Sequence, residues 1–249
     1  MGRQNWQDSS VAARGCRKRL TSTASAPSTP TVSGGWRAAT STPLSILPIF
    51  SLPNSVSGLR WHFSAVTDSG HWLVNVFWNL AVAGGGVLLE YMGYGVSAEC
   101  LHGTDLLPGR LKDAHAKLPH LPLTNADGQS LPYRAGVFDL ALQYTVFSSI
   151  LDADVKAGLA REMLRVLKPG GMILWYDFWL NPTNPQTHGI QPAEIRRLFP
   201  NCRYEFRRIT LAPPLARLVV KVSWMAAYAL ERLTIFNSHY LVAIQSTDN

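Results

Sequence analysis

Two carboxylates, Asp105 and Asp127, close the successive short apolar runs LHGTDL and LPLTNAD. A carboxylate at the carboxyl end of a strand can accept hydrogen bonds from both ribose hydroxyls of a nucleoside, a chemistry suited to the edge of an open α/β sheet. Each has a plainer reading: Asp105 could cap the helix PGRLKDAHAKL, and Asp127 could form an Asp-Gly turn. Gly84, Gly85 and Gly86 offer a backbone that a ligand could approach, or simply a flexible turn. Gln143 and Tyr144 lie near the end of VFDLALQYTVF, and Tyr176, Asp177 and Trp179 sit at the end of GMILWYDFW. Asn181 and His188 follow in the next loop, and all of these are candidates to line a cleft, with packing as the competing role. A lone histidine such as His188 is more often a surface residue than a base. Cys16, Cys100 and Cys202 are odd in number, far apart and without metal-ligand spacing, so they read as reduced thiols of a cytoplasmic protein.

Elements able to position these residues alternate in type from Gly95 onward, the signature of βαβ units and a parallel sheet. LHGTDL, LPLTNAD, VFDLALQYTVF and GMILWYDF read as strands, the third apolar enough to be buried on both faces. ADVKAGLAREMLRVLKPGG reads as a helix with Val155, Leu159, Met163 and Val166 on one stripe and Gly170-Gly171 as its stop. PAEIRRLFP is a short helix between prolines, and RYEFRRITLA and SHYLVAIQ are two last strands. Between them, Leu215 to Leu233 is expected to form one long apolar helix that packs inside, with a lid or an interfacial patch as the alternatives. Seven strands emerge only if another precedes Gly95.

The stretches HGTDLLPGRLKDAHAKL, NADGQSLPYRAGVFDLALQYTVFSSI and REMLRVLKPGGMILWYDFW together resemble the type 11 group of class I methyltransferases, over roughly Gly84 to Gln245. The pairing of LPY…FDLAL with EMLRVLKPGGMIL at this spacing is the most specific part. The resemblance implies a Rossmann-like seven-stranded sheet with an antiparallel last strand, and S-adenosylmethionine as cofactor. It implies ribose binding by Asp105 with Leu106 beside it, and adenine binding by Asp127 between Ala126 and Gly128. Gln143 and the triplet Gly84, Gly85 and Gly86 complete the expected cofactor site, with Tyr144, Tyr176, Asp177, Trp179 and His188 on the acceptor side. The reaction implied is methyl transfer to a small-molecule or lipid-like acceptor. Such transfer needs positioning more than acid–base chemistry, so the absence of a triad does not weigh against it.

One motif is missing. The family's first strand should end in an acid followed by G-x-G-x-G, but this chain reads FWNLAVAGGG with no acid before the glycines. Out-of-register reading of synonymous codons for GHWLVNVFWNLAVAGG permits PLAGKRVLEPGCGGG, the expected strand, acid and loop, and those for RWHFSAVTDS permit the helix-like LALLRSHGL. On this reading residues 1 to about 83 are largely an out-of-frame translation, and the chain is an impaired enzyme whose first strand is degraded or replaced by residues 72–83.

Composition agrees with a division at about residue 70. The chain carries 23 Lys and Arg against 16 Asp and Glu, a formal charge of +7. Up to Gly86 there are seven bases and only two acids, Asp8 and Asp68, leaving 23 − 7 = 16 bases and 16 − 2 = 14 acids in a nearly neutral remainder. Residues 1–58 are rich in Ser, Thr and Pro, aperiodic and acid-poor, which predicts a disordered segment within 1–70 and a methyltransferase-like domain over 71–249. A transit peptide would need a sustained amphipathic helix that is lacking. Another class of function remains: a non-catalytic binding protein whose basic arm, around Arg17-Lys18-Arg19, touches nucleic acid or acidic membranes. A dinucleotide enzyme is disfavoured because no G-x-G-x-x-G follows a strand, and no apolar run has the length of a bilayer span.

Overall fold

The computed structural model describes residues 77–93, 95–180 and 186–247. The Ser/Pro-rich segment and the boundary at residue 70 lie outside these residues. The strands are β1 (Phe77–Leu80), β2 (Leu101–Asp105), β3 (Leu123–Asn125), β4 (Phe138–Tyr144), β5 (Leu167–Phe178), β6 (Cys202–Leu211) and β7 (Asn237–Ser246). The helices are α1 (Gly86–Gly93), α2 (Pro108–Lys117), α3 (Ala153–Val166), α4 (Pro192–Leu198), α5 (Pro213–Val219) and α6 (Trp224–Glu231). One sheet runs β3-β2-β1-β4-β5-β7-β6. Its first five strands are parallel, and β7 is antiparallel to both β5 and β6. This is the expected Rossmann-like sheet.

β1 falls within residues 72–83, the stretch expected to stand in for the first strand, and occupies the centre. Phe77 stands opposite Leu101 and Leu140, and Trp78 opposite His102 and Ala141. Because successive side chains alternate, the strand feeds both cores. Trp78 and Leu80 join Phe138, Leu159, Met163 and Trp175 on the face covered by α3 and α4. Phe77 joins Leu88, Tyr91, Ala114 and Leu142 on the face covered by α1 and α2. The expected stripe of α3 holds, with Leu159, Met163 and Val166 buried and Val155 packed at their edge.

The two sequence pieces that carry the resemblance are joined physically. Glu162 accepts from the Leu131 amide at 2.8 Å, while Arg165 pairs with Glu162 and donates to the carbonyl of Tyr133 at 2.8 Å. The loop around LPY is thereby pinned to the helix EMLRVL.

Three expectations need correction. α3 ends at Val166 rather than at Gly170-Gly171, because Pro169 disfavours a helical Lys168 and Leu167 pairs with Phe138 instead. The single apolar helix over 215–233 is two helices, broken where the β-branched run Val219, Val220, Val222 meets Ser223, whose side chain caps α6 by accepting from the Ala226 amide. Nor is it buried: Val222, Met225, Trp224 and Leu218 are 87%, 75%, 68% and 65% exposed. Finally, Cys100 is disulfide-bonded, so the reading of three reduced thiols fails.

His102 lies buried against Tyr133 and Phe138, and burial lowers its pKa to about 4. The unfolded chain takes up this proton near pH 6.5 and the folded chain does not, so its contribution is present above that pH and is lost as pH falls toward the folded value. His102→Gln should therefore flatten the stability curve below pH 6.5 by up to about 1.4 kcal/mol per pH unit relative to the parent. Urea unfolding of both proteins at pH 7, 6 and 5 checks this, and parallel curves would refute it.

Candidate functional site

The carboxyl ends of the parallel strands place most of the candidate residues along one edge of the sheet. Asp105, at the end of β2, is 3% exposed. One carboxylate oxygen accepts from the Ala83 amide and the other from the Leu107 amide, both at 2.9 Å. The side chain thus clips the β1–α1 loop to the start of α2. Leu107 rather than Asp105 is the cap residue of α2 and no side chain caps that helix, so the capping reading does not hold, while each carboxylate oxygen of Asp105 keeps a further lone pair. Leu106 beside it is 63% exposed.

The β1–α1 loop has an unusual backbone. Ala81, Ala83 and Gly85 have φ of 57°, 49° and 80°. The left-handed region is ordinary for glycine, whereas it costs a residue with a Cβ roughly 1–2 kcal/mol. The spacing of the three positions is that of G-x-G-x-G, with alanine at the first two. Val82 between them is buried where Gly103 lacks a side chain, since a Cβ at Gly103 would overlap it. Two residues before Ala81, Asn79 is 1% exposed, and neither its amide nitrogen nor its oxygen has a partner. An orphaned buried amide of this kind costs about 1–3 kcal/mol for each unmet group. Of the expected glycines, Gly85 lies within this turn, Gly84 accepts from Lys117 Nζ at 3.0 Å, and Gly86 opens α1.

Asp127 is exposed, two residues past β3, and accepts from the Gln129 amide at 2.9 Å, the Asx-turn geometry of its plainer reading. Ala126 is held by its amide to the carbonyl of Asp105 at 3.2 Å, which keeps this loop beside the β2 edge. Gly128 is buried.

Gln143 and Asp177 come together on the opposite face from Tyr144. Gln143 donates to Asp177 at 2.7 Å, and the same carboxylate accepts from the amides of Ser148 and Phe178 at 3.1 and 2.9 Å. Both side chains are buried. Desolvation raises the Asp177 pKa, and these hydrogen bonds oppose the shift. The arrangement locks β4 to β5 and the turn after β4.

The other face carries an aromatic group. The Tyr144 ring lies 5.6 Å from Tyr176, which stacks on His239 at 4.6 Å with planes 4° apart, and His239 meets Phe178 at 4.0 Å. Burial lowers the His239 pKa to about 4, so the ring is neutral at physiological pH. Tyr91 of α1 reaches the Tyr144 hydroxyl at 3.5 Å. Tyr91 and His239 escaped the sequence reading. The alternation of SHYLVAIQ would have placed His239 beside Phe178 only once the antiparallel β5–β7 register was known. Trp179 is half-buried, donating to the Asn237 carbonyl at 2.7 Å beneath the Arg208 guanidinium at 4.0 Å. His188 is exposed, its backbone tied to Ser148. Asn181 lies outside the described residues.

Residues 80–175 match the family model described as a methyltransferase domain. Among solved structures, the chain is similar to an S-adenosylmethionine-dependent methyltransferase from Mesorhizobium loti, at 16% identity over 76% of this chain and 95% of that one, with a TM-score of 0.53. It is likewise similar to one from Methanosarcina mazei, at 16% identity over 68% and 91%, with a TM-score of 0.50. The [4+2]-cyclase SpnF shares the fold at 13% identity over 68% and 73%, with a TM-score of 0.51. These likenesses are ones of fold. No curated protein matches the chain.

The loop makes its own prediction. Alanine to glycine ordinarily destabilises by roughly 0.5–1 kcal/mol, less than the left-handed penalty of roughly 1–2 kcal/mol that glycine removes. Ala81→Gly with Ala83→Gly should therefore raise unfolding stability by about 1 kcal/mol in denaturant titration. A loss of stability would mean that the loop is not left-handed at these positions.

Proposed function

We propose, from the premise that residues 80–175 make this chain a class I S-adenosylmethionine-dependent methyltransferase of the type 11 group, that its acceptor is a small molecule or lipid-like compound and that the chain with this sequence holds its cofactor weakly. The observation that carries the second part is the β1–α1 loop. Replacing residues 78–85, WNLAVAGG, by LEPGCGGG puts a glycine at each of the left-handed positions 81, 83 and 85 and a glutamate at the orphaned Asn79. Codon register permits that replacement, with the free third bases chosen to match the family's G-x-G-x-G and not the backbone, and the agreement with the left-handed positions supports the out-of-frame reading of the residues before Gly84.

Toward S-adenosylmethionine the residues divide into a half that fits and a half that does not. Asp105 has lone pairs left for the ribose, and the loop of Ala126, Asp127 and Gly128, tied to the Asp105 carbonyl through the Ala126 amide, is the candidate for the adenine, with Leu106 beside it. At the methionine end, Asn79 brings no charge, and the Cβ atoms of Ala81 and Ala83 stand where a ligand needs bare backbone. Gln143 donates its amide nitrogen to Asp177, which holds the turn after β4, and its side-chain oxygen has no hydrogen-bond partner.

The cofactor supplies the electrophilic methyl group; the protein positions the acceptor and excludes water. Tyr144, Tyr176 and Trp179 are the acceptor-side residues, and the neutral His239 fixes the Tyr176 ring. Tyr144 stands two strands from Asp105, about 10 Å at ordinary strand spacing, which suits a nucleoside at one end and an acceptor at the other. An aromatic, largely uncharged wall favours an apolar or lipid-like acceptor over a polyanion.

Calorimetric titration with S-adenosylmethionine and its demethylated product tests the reading. The version carrying LEPGCGGG at 78–85 should bind at least tenfold tighter than the chain as it stands, and Asp105→Ala within that version should lose affinity several-fold. Equal tight binding by the two versions would overturn the claim about the loop, and an unaffected Asp105→Ala would overturn the ribose assignment.

A further inference from the structure

Between β6 and β7 the chain leaves the sheet for residues 212–236 and folds as α5, α6 and a short 3-10 turn, Thr234–Phe236. β6 is antiparallel to β7, which is antiparallel to β5, so the end of β6 at Leu211 lies at the same carboxyl edge as Asp105 and Tyr144. The excursion therefore stands on the ligand side of the sheet.

Its surface is apolar and positively charged. Leu218, Val220, Val222, Trp224, Met225 and Ile235 are each at least half exposed. A soluble surface rarely gathers so many large apolar side chains within one short segment without a partner. The charges point one way: Arg217, Lys221 and Arg232 are exposed, and Glu231, the sole acid of the segment, is turned inward onto the backbone of Thr210 and Leu211. Along α6 one face runs Trp224, Tyr228, Arg232, with the two rings stacked 6.0 Å apart and the Arg232 guanidinium 5.3 Å from Tyr228. An aromatic row ending in a cation is the pattern of a helix lying at a membrane interface, rings at headgroup level and charge toward phosphate. No helix among the described residues is long and apolar enough to cross a bilayer.

We propose that residues 213–236 dock this protein peripherally on an anionic lipid surface, the apolar side chains entering the headgroup layer and Arg217, Lys221 and Arg232 meeting lipid phosphates. The positive charge selects this occupant over a second copy, because a copy would bring the same three cations against these. Docking here turns the carboxyl edge of the sheet toward the membrane. The inference goes beyond the methyl-transfer reading and does not need it, since vesicle binding is read without cofactor.

The test is flotation of the full chain with vesicles of phosphatidylcholine alone or with about one third phosphatidylserine. The chain should float with the anionic vesicles and be released by high salt, each cation contributing about fivefold to partitioning. Trp224→Ser with Met225→Ser should reduce flotation at least tenfold with the thermal midpoint unchanged, both side chains being exposed. Arg217→Gln with Lys221→Gln should cut the preference for anionic over neutral vesicles by about 25-fold, leaving the share of Arg232, with the fold intact. The proposal is overturned if the unaltered chain stays with the soluble fraction, if the Trp224/Met225 variant floats as well as the parent, or if sedimentation shows a dimer that this variant dissolves.

Discussion

The burial of β1 between β2 and β4 is the constraint on which the rest of the site depends. Phe77 and Trp78 fill opposite cores completely, and Leu80 and Val82 extend the same anchoring into the turn. Four such side chains contribute roughly 6–12 kcal/mol of burial, against roughly 2–4 kcal/mol for two alanines held left-handed. Packing therefore wins, and the loop keeps a glycine-type path with residues that do not prefer it. The Asp105 carboxylate completes the arrangement by taking the Ala83 amide as that path crosses the end of β2.

The carboxyl edge then separates by chemistry. Around β2 and β3 the groups are a carboxylate, backbone amides and a turn; from β4 to β7 they are aromatic rings and a histidine kept neutral by burial. Tyr91 of α1 and Tyr144 of β4 are the contact between the two zones, so the helix that follows the glycine turn also supports the aromatic wall. The Gln143–Asp177 cluster serves both zones from beneath, since it fixes the turn after β4 without presenting charge to solvent.

The excursion at 212–236 belongs to the same edge, and its exposed apolar and basic character bears on what kind of acceptor reaches the aromatic wall. A compound partitioned into a bilayer is delivered at an interface rather than from bulk water. The proposed docking and the proposed lipid-like acceptor fit together here, since the excursion's exposed apolar surface lies beside the strand ends.

By itself the sequence determined the fold class, from β2 to β7, because the periodicity of each run and the spacing of LPY…FDLAL and EMLRVLKPGG carry it, and it determined that no acid precedes the glycines. The place of Asp105 at the end of β2 was legible because a carboxylate closes the apolar run LHGTDL. Tertiary structure alone decided three things, each for want of a local signal. FWNL has no acid and no glycine to mark it as the first strand, and only pairing with β2 and β4 makes it one. Gln143 and Asp177, 34 residues apart, meet only because β4 and β5 lie side by side, a pairing that neither strand's own sequence signals. The run from 215 to 233 was apolar enough for a core helix, but the β-branched residues and Ser223 divide it. With the sheet already covered by helices α1 to α4, the two short helices are left with their apolar side chains in water.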